Sequence, residues 1–309
     1  MQTRAIGGLE VSVVGIGCNN FGGRLDQART TEVVGAALDA GITLFDTADI
    51  YGATKSEEYL GRALGPRRDE VVIASKFGMP IDKERSGAAP AYVARACEDS
   101  LRRLGTDRID LYQLHAPDPS VPIADTLAAL NRLQDAGKVV EIGCSNFTAD
   151  QLDEAALAAG NLPAFRSVQN QFSLLWRTPE TDGVLEACDR HEIAFLPYYP
   201  LANGLLTGKV RPGEPVPEGT RLAMMPPERS AHWLNDEFTE QVGALLSFAE
   251  DCGIPLLSLA FSWLLAHRPV ASVIAGATSA EQVRANATAP QDLDDETSAA
   301  LDALTAPGA

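Results

Sequence analysis

Asp46, Tyr51, Lys76 and His115 bring together an acid, a phenol, an amine and an imidazole. Asp46 closes the run Ile42-Thr43-Leu44-Phe45, Lys76 closes Val71-Val72-Ile73-Ala74-Ser75, and His115 closes Ile109-Asp110-Leu111-Tyr112-Gln113-Leu114. Tyr51 lies five residues past Asp46. A free phenol, with a pKa of about 10, gives up its proton poorly near neutrality. A neighbouring ammonium stabilises the phenolate and lowers that barrier. Lys76 is placed to be that ammonium, Asp46 to keep it charged, and His115 to orient the oxygen that takes the proton. These are the parts of general acid–base chemistry on a carbonyl or an alcohol. Singly, each has a plain structural explanation: a buried Asp–Lys pair, or a hydrogen-bonded core histidine. Consecutive strand ends delivering all four point to one site.

The elements that position them alternate along the chain. Short apolar runs of the kind buried in parallel sheets predict strand cores at 11–17, 42–46, 71–76, 109–115, 139–143, 166–170, 193–199 and 271–275. Between them, residues 31–40, 92–104 and 125–136 carry apolar positions three and four apart and are followed by Gly41, Gly105 and Gly137. That is the pattern of amphipathic helices closed by a glycine. Further helices are predicted at 236–252 and 256–267. Eight strands interleaved with helices predict an α/β fold of the (β/α)8 TIM-barrel type, as one domain over 1–309. Residues 1–9, with Gly7-Gly8, read as an N-terminal hairpin, and the Pro/Gly-rich stretch 211–230 as a long loop after strand seven. A loop there lies on the C-terminal face, where barrel enzymes keep their sites.

Lys plus Arg number 25 against 42 Asp plus Glu, a formal charge of −17. So acidic a chain argues against nucleic acid or an anionic membrane as partner, because both require a basic face. The five cysteines (18, 97, 144, 188 and 252) show no Cys-x-x-Cys or Cys/His spacing, so neither a metal site nor a disulfide framework is expected. They read as buried thiols of a cytoplasmic protein. The N-terminus lacks the apolar stretch of a signal peptide, and no run approaches the roughly 20 residues that span a bilayer.

The segment Phe45-Asp46-Thr47-Ala48-Asp49-Ile50-Tyr51-Gly52, with Ser56-Glu57-Glu58-Tyr59-Leu60-Gly61, resembles the signature of the aldo-keto reductases. The resemblance runs through Leu111-Tyr112-Gln113-Leu114-His115, Gly143-Cys144-Ser145-Asn146-Phe147 and Gln169-Asn170-Gln171-Phe172-Ser173. It continues in Pro197-Tyr198-Tyr199-Pro200-Leu201-Ala202-Asn203-Gly204 and from Ile274 through Gln282 to Asn286. It implies a barrel plugged at its bottom by the hairpin and an NAD(P)-dependent oxidoreductase of aldehydes, ketones or alcohols. Tyr51 is then the proton donor beside Asp46, Lys76 and His115. The resemblance also implies Ser145, Asn146 and Gln169 at the nicotinamide carboxamide and Tyr198 stacked on its ring. Asp46, Pro200, Leu201 and Gly204 are implied as further cofactor contacts, and Gly276, Thr278, Gln282 and Asn286 as the adenosine-phosphate segment.

NADP is the expected cofactor, with NAD possible, because Arg284 is the one cation near positions 276–282. Lys209, Arg211 and Arg221 are candidates to reach in from the long loop. The substrate is expected to be a small carbonyl or alcohol, met by Tyr51, His115, Phe21 and Trp176, with Phe77, Met224 and Trp233 as further pocket candidates. Gly15-Ile16-Gly17-Cys18-Asn19-Asn20 fails as a dinucleotide fingerprint, having Asn20 where the third glycine belongs. Gly204-Leu205-Leu206-Thr207-Gly208-Lys209-Val210 fails as a P-loop, being one residue short with Val210 in place of Ser or Thr. Two other readings remain open: a Schiff-base aldolase using Lys76, and a cofactor-binding regulatory subunit without significant turnover.

Overall fold

The computed structural model describes residues 1–306. A two-stranded antiparallel hairpin, β1 (Thr3–Ile6) and β2 (Leu9–Ser12), leads into β3 (Val14–Gly17). The chain then alternates: α1 (Gln27–Asp39), β4 (Leu44–Asp46), α2 (Lys55–Leu64), β5 (Val72–Phe77), α3 (Pro90–Leu104), β6 (Ile109–Leu114) and α4 (Ile123–Asp135). There follow β7 (Val139–Ser145), α5 (Ala149–Ala159), β8 (Ser167–Gln169), α6 (Thr178–Thr181), α7 (Val184–His191) and β9 (Ala194–Phe195). The last part holds α8 (Pro227–Trp233), α9 (Asp236–Cys252), α10 (Leu256–Ala266), β10 (Val273–Gly276), α11 (Ala280–Thr288) and α12 (Asp295–Leu304).

The eight strands β3 to β10 form one parallel sheet in the order β10-β3-β4-β5-β6-β7-β8-β9. Its two ends meet through a Phe195–Val270 bridge, with Phe195 N–H donating to Pro269 and Ala271 N–H to Phe195. The architecture is the expected (β/α)8 barrel. Alternation along each strand sets its two layers. Ile6, Val11, Leu44, Ala74, Leu111, Leu196, Ala271 and Ile274 form a small inner cluster, so the hairpin does plug the barrel. Phe45, Ile73, Phe77, Tyr112, Val168 and Phe195 belong to the larger core shared with the helices.

Several boundaries differ from the expectations. Residues 11–12 belong to the hairpin, which therefore spans 3–12, and Val13 parts it from the barrel strand. An apolar run cannot reveal where a chain leaves one sheet for another. Strand seven is two residues long instead of the predicted 193–199; beyond it Pro197 has no N–H to give the ladder, although Leu196 N–H still donates to Val168 and Tyr198 N–H to Asn170. Strand eight is one step later than predicted, ending at Gly276. The first helix begins at Gln27, where the Asp26 side chain accepts from Arg29 N–H and caps it. The 211–230 stretch contains a 3-10 turn at Leu222–Met224 and enters α8. Among the described residues, no single helix is long and apolar enough to cross a membrane. Four cysteines are buried as expected; Cys252 is exposed, at the C-terminus of α9.

Candidate active site

The inner face of the barrel changes character one step above its apolar plug. Asp46, Lys76, Gln113 and Gln169 sit two residues beyond Leu44, Ala74, Leu111 and Ser167 on their strands, and all four are buried. Lys76 Nζ donates to Asp46 Oδ2 at 2.7 Å, to the Thr47 carbonyl at 2.9 Å and to the Tyr51 hydroxyl at 3.3 Å. Three acceptors match its three protons. Asp46 Oδ1 accepts from Gln169 Nε2 at 2.9 Å and Gln113 Nε2 at 3.5 Å. The strand ends thus bring the predicted four together, with His115 set edge-on to the Tyr51 ring at 5.8 Å.

The electrostatics correct one expectation. Burial raises the Tyr51 phenol, and the lowering by Lys76 does not offset it; the net shift is upward. Tyr51 is therefore a firmly protonated donor at neutral pH. Lys76 is pulled down by burial but pushed up further by Asp46, then by Tyr51, and ends above the ordinary lysine value. An ammonium so held is the opposite of the free amine that Schiff-base chemistry needs, which removes support from the aldolase reading. Burial and the Lys76 charge bring His115 down to about 3, so it is a neutral imidazole. Its Nδ1 is buried without a partner.

A cleft of about 740 Å³ opens from these residues across the C-terminal face. Asp46, Tyr51, His115, Ser145, Asn146, Gln169, Tyr198, Pro200, Leu201, Gly204, Gly276, Thr278, Gln282 and Asn286 all line it. Ser145 Oγ donates to the Gln169 carbonyl at 2.7 Å, Asn146 Nδ2 to the His115 carbonyl at 2.9 Å, and the Tyr198 hydroxyl to Asn146 Oδ1 at 2.8 Å. Asn146 holds a left-handed backbone (φ 62), which asparagine tolerates better than most residues. The carboxamide-facing trio expected from sequence is therefore one linked group.

Five substrate-pocket expectations fail. Phe21 is fully buried in the core, and Phe77 stacks on Tyr112 at 4.7 Å between sheet and helices. Strand alternation explains Phe77: if Lys76 faces inward, its neighbour faces out. Trp176, bridged to Ser173, and Met224, exposed beside Arg24, are not cleft-lining. Trp233 is buried against Phe238, with its edge towards Tyr199. Tyr199 lines the cleft instead, holding φ 52 under the Arg221 guanidinium.

The cation assignments also change. Arg284 is exposed and outside the cleft, while Ala285 and Asn286 beside it line the wall, because consecutive helix positions face different directions. Arg211 reaches Glu250 at 3.5 Å, away from the cleft. Lys209 and Arg221 do line it, joined by Arg24, which sequence reading missed. Arg29 was missed too; its Nη2 donates to the Thr278 carbonyl at 3.0 Å. Arg24 is lowered by burial and then by Arg221 and Arg29, which marks these cations as near neighbours. Asn19 and Asn20, set aside with the failed fingerprint, line the wall beside Gly276. They were findable by the strand-end position that singled out Asp46.

The cleft fits an extended dinucleotide. It has apolar walls at Pro200, Leu201, Leu257 and Ile274, amide and hydroxyl groups from Ser145, Asn146, Gln169 and Thr278, and cations from Arg24, Lys209 and Arg221. Asn203, whose buried Oδ1 has no partner, also faces it. The family model for the aldo/keto reductase family matches residues 13–306. A probable voltage-gated potassium channel subunit beta of Arabidopsis thaliana is 32% identical over 297 residues, 93% of this chain and 90% of that protein. The aldo-keto reductase yakc [NADP(+)] of Schizosaccharomyces pombe is 32% identical over 277 residues, covering 86% and 80%. Among solved structures, aldo-keto reductase AKR11C1 from Bacillus halodurans in its holo form matches with a TM-score of 0.82 at 32% identity, over 99% of this chain and 96% of that one.

Proposed function

This chain belongs to the aldo/keto reductase family of NAD(P)-dependent oxidoreductases, and we propose that Tyr51 delivers the proton in its reduction of an aldehyde or ketone. We read it as a single domain. The observation that carries the proton assignment is the contact series Asp46–Lys76–Tyr51, at 2.7 and 3.3 Å, opening into the cleft. Asp46 keeps Lys76 charged. Lys76 donates to the Tyr51 oxygen and stabilises the phenolate left when the proton departs. The neutral His115 imidazole orients the substrate oxygen by hydrogen bonding, without adding a charge that would oppose Lys76. A nicotinamide dinucleotide, when bound, supplies the hydride. Ser145, Asn146 and Gln169 would hold its carboxamide, Tyr198 its ring, and Gly276, Thr278, Gln282 and Asn286 its adenosine end. In the direction of alcohol oxidation the same network receives the proton.

For the cofactor we read NADP ahead of NAD. Support comes from Arg29 on the Thr278 carbonyl, and from Arg24, Lys209 and Arg221 in the cleft wall, in a chain of net charge −17. The S. pombe relative carries NADP(+) in its name. A second reading, a cofactor-binding subunit of a channel, has the Arabidopsis relative in its favour. The complete proton-donor network favours turnover. The deciding experiment is Tyr51→Phe, which keeps the ring and removes the proton. Turnover of an aldehyde panel should fall by roughly 100-fold or more, with cofactor affinity little changed. Wild-type turnover in this variant would end the Tyr51 assignment, and absence of hydride transfer in the wild-type protein would favour the subunit reading.

A further inference from the structure

Behind the barrel wall, between β5–β6 and α2–α3, lies a second set of buried polar groups. Asp49 is 1% exposed, and neither of its carboxyl oxygens has a hydrogen-bond partner. The Tyr112 hydroxyl, in the same layer, is likewise buried without a partner. Asp49 is faced by Glu57 of α2, Arg103 and Tyr92 of α3, Lys76 of β5 and Tyr112 of β6, with Cys97 of α3 beyond Tyr112. The cations are already engaged. Arg103 Nε binds Glu57 Oε2 at 2.6 Å, Ser75 Oγ donates to Glu57 Oε1 at 2.6 Å, and Lys76 is committed to Asp46. A carboxylate in that position has desolvation and the Glu57 charge against it, and only the Arg103 and Lys76 charges and a weak contact from the Ile50 N–H for it, so its neutral form is favoured.

Asp49 also belongs to the turn that carries Tyr51. Its N–H donates to the Lys76 carbonyl at 3.0 Å, and Thr47, two residues before it, accepts from the Lys76 ammonium. Past Tyr51 the chain is left-handed at Gly52 (φ 57), Ala53 (φ 53) and Thr54 (φ 73). At Gly52 an added Cβ would meet the Phe21 carbonyl at 2.2 Å. Two non-glycine residues at positive φ persist only where surrounding contacts over-determine them. The Tyr51 turn is thus a strained segment, with Asp49 buried two residues before Tyr51.

We propose that Asp49 is a positioning residue for Tyr51: its carboxyl is accommodated beside the strained turn only with its proton on, and release of that proton to solvent drives the carboxylate towards water, loosens the turn and withdraws the proton donor. Burial, then the Glu57 charge, raises the Asp49 carboxyl to about 7, which sets the range in which this happens. The proposal rests on Tyr51 being the proton donor; the first two measurements below need no turnover, so its failure is separable from failure of that reading.

Isotope-edited infrared spectra of the whole protein should show a protonated Asp carboxyl at about pH 5 that disappears with a midpoint near 7. The sign for stability follows from a folded pKa above the unfolded one. Between about pH 4 and about pH 7 the folded chain holds the extra proton, so its folding constant falls about tenfold per pH unit relative to Asp49→Asn, and the difference is constant above. In turnover, kcat of the wild type should fall about tenfold per pH unit above the same midpoint, while Asp49→Asn stays flat there. A carboxyl band that does not titrate, or an inflection retained in Asp49→Asn, overturns the proposal. Should Asp49→Asn fail to fold, wild-type midpoints decide: coincidence of the infrared and kcat transitions supports the positioning role, and separation refutes it.

Discussion

Replacing Asp46 by asparagine tests the network at its anionic end. In the wild type both carboxylate oxygens accept: Oδ2 from Lys76 at 2.7 Å, and Oδ1 from Gln169 at 2.9 Å and Gln113 at 3.5 Å. Asparagine offers one accepting oxygen and one donating amide. If its oxygen faces Lys76, its NH2 meets the Gln169 amide donor; if it turns round, NH2 meets the ammonium. The Gln169 amide can turn to meet the new NH2 with its oxygen, but in every arrangement Lys76, fully buried, loses its counterion. Breaking a buried ion pair on one side costs about 3–5 kcal/mol. Lys76 would relieve part of that by giving up its proton, since the Asp46 charge is what offsets its burial. A neutral amine then stabilises the Tyr51 phenolate far less. Asp46→Asn should therefore lose about 3–5 kcal/mol in denaturant unfolding near neutrality and lose turnover, with the carbonyl-reduction pH profile displaced. A stability loss below about 1 kcal/mol with an unchanged profile would refute the coupling, because it would mean that Lys76 holds its charge without Asp46.

Cofactor choice gives a paired test: Arg24→Ala, in the cleft wall, should weaken NADPH relative to NADH by about 1.5–3 kcal/mol, roughly tenfold or more in Kd, whereas Arg284→Ala, outside the cleft, should leave the ratio unchanged. Fluorescence titration with both cofactors checks it, and the reverse ranking would return the phosphate contact to α11. Glu180 tests the clasp that ties α12 to the barrel, through Arg177, His267 and the Asp302–Trp263 contact. Burial alone would raise its carboxyl, but hydrogen bonds from His267 and Arg177 bring it down to about 2. A depressed carboxyl contributes stability above its unfolded value and loses it as pH falls towards the folded one. Glu180→Gln should thus cost up to about 3 kcal/mol near neutrality and nothing near pH 2, which thermal melts across that range would detect.

Much of the site was legible because it follows from period and position. A strand buried on both faces reads as an apolar run, and the residue closing it stands at the barrel mouth; Asp46, Lys76 and His115 needed nothing further, whereas Ser145 and Gln169 were implied by the family resemblance. The hairpin was visible in Gly7-Gly8, though not its end. Alternation also turns Phe77 outward once Lys76 faces in.

What only the tertiary structure decided is whatever depends on neighbours remote in the chain. Arg29 meets Thr278 across 249 residues, and no local pattern announces such a contact. Arg284 is near the cofactor segment in sequence but on the wrong side of a helix. The direction of the Tyr51 shift is a balance between burial and the Lys76 charge, and a sequence names the charge without fixing the burial. Asp49 makes the same point: an aspartate in a turn reads as solvated, and it becomes a buried carboxyl because α2 and α3 close over it. Residue types set which chemistry this chain can do; the packing around them sets which proton each group keeps.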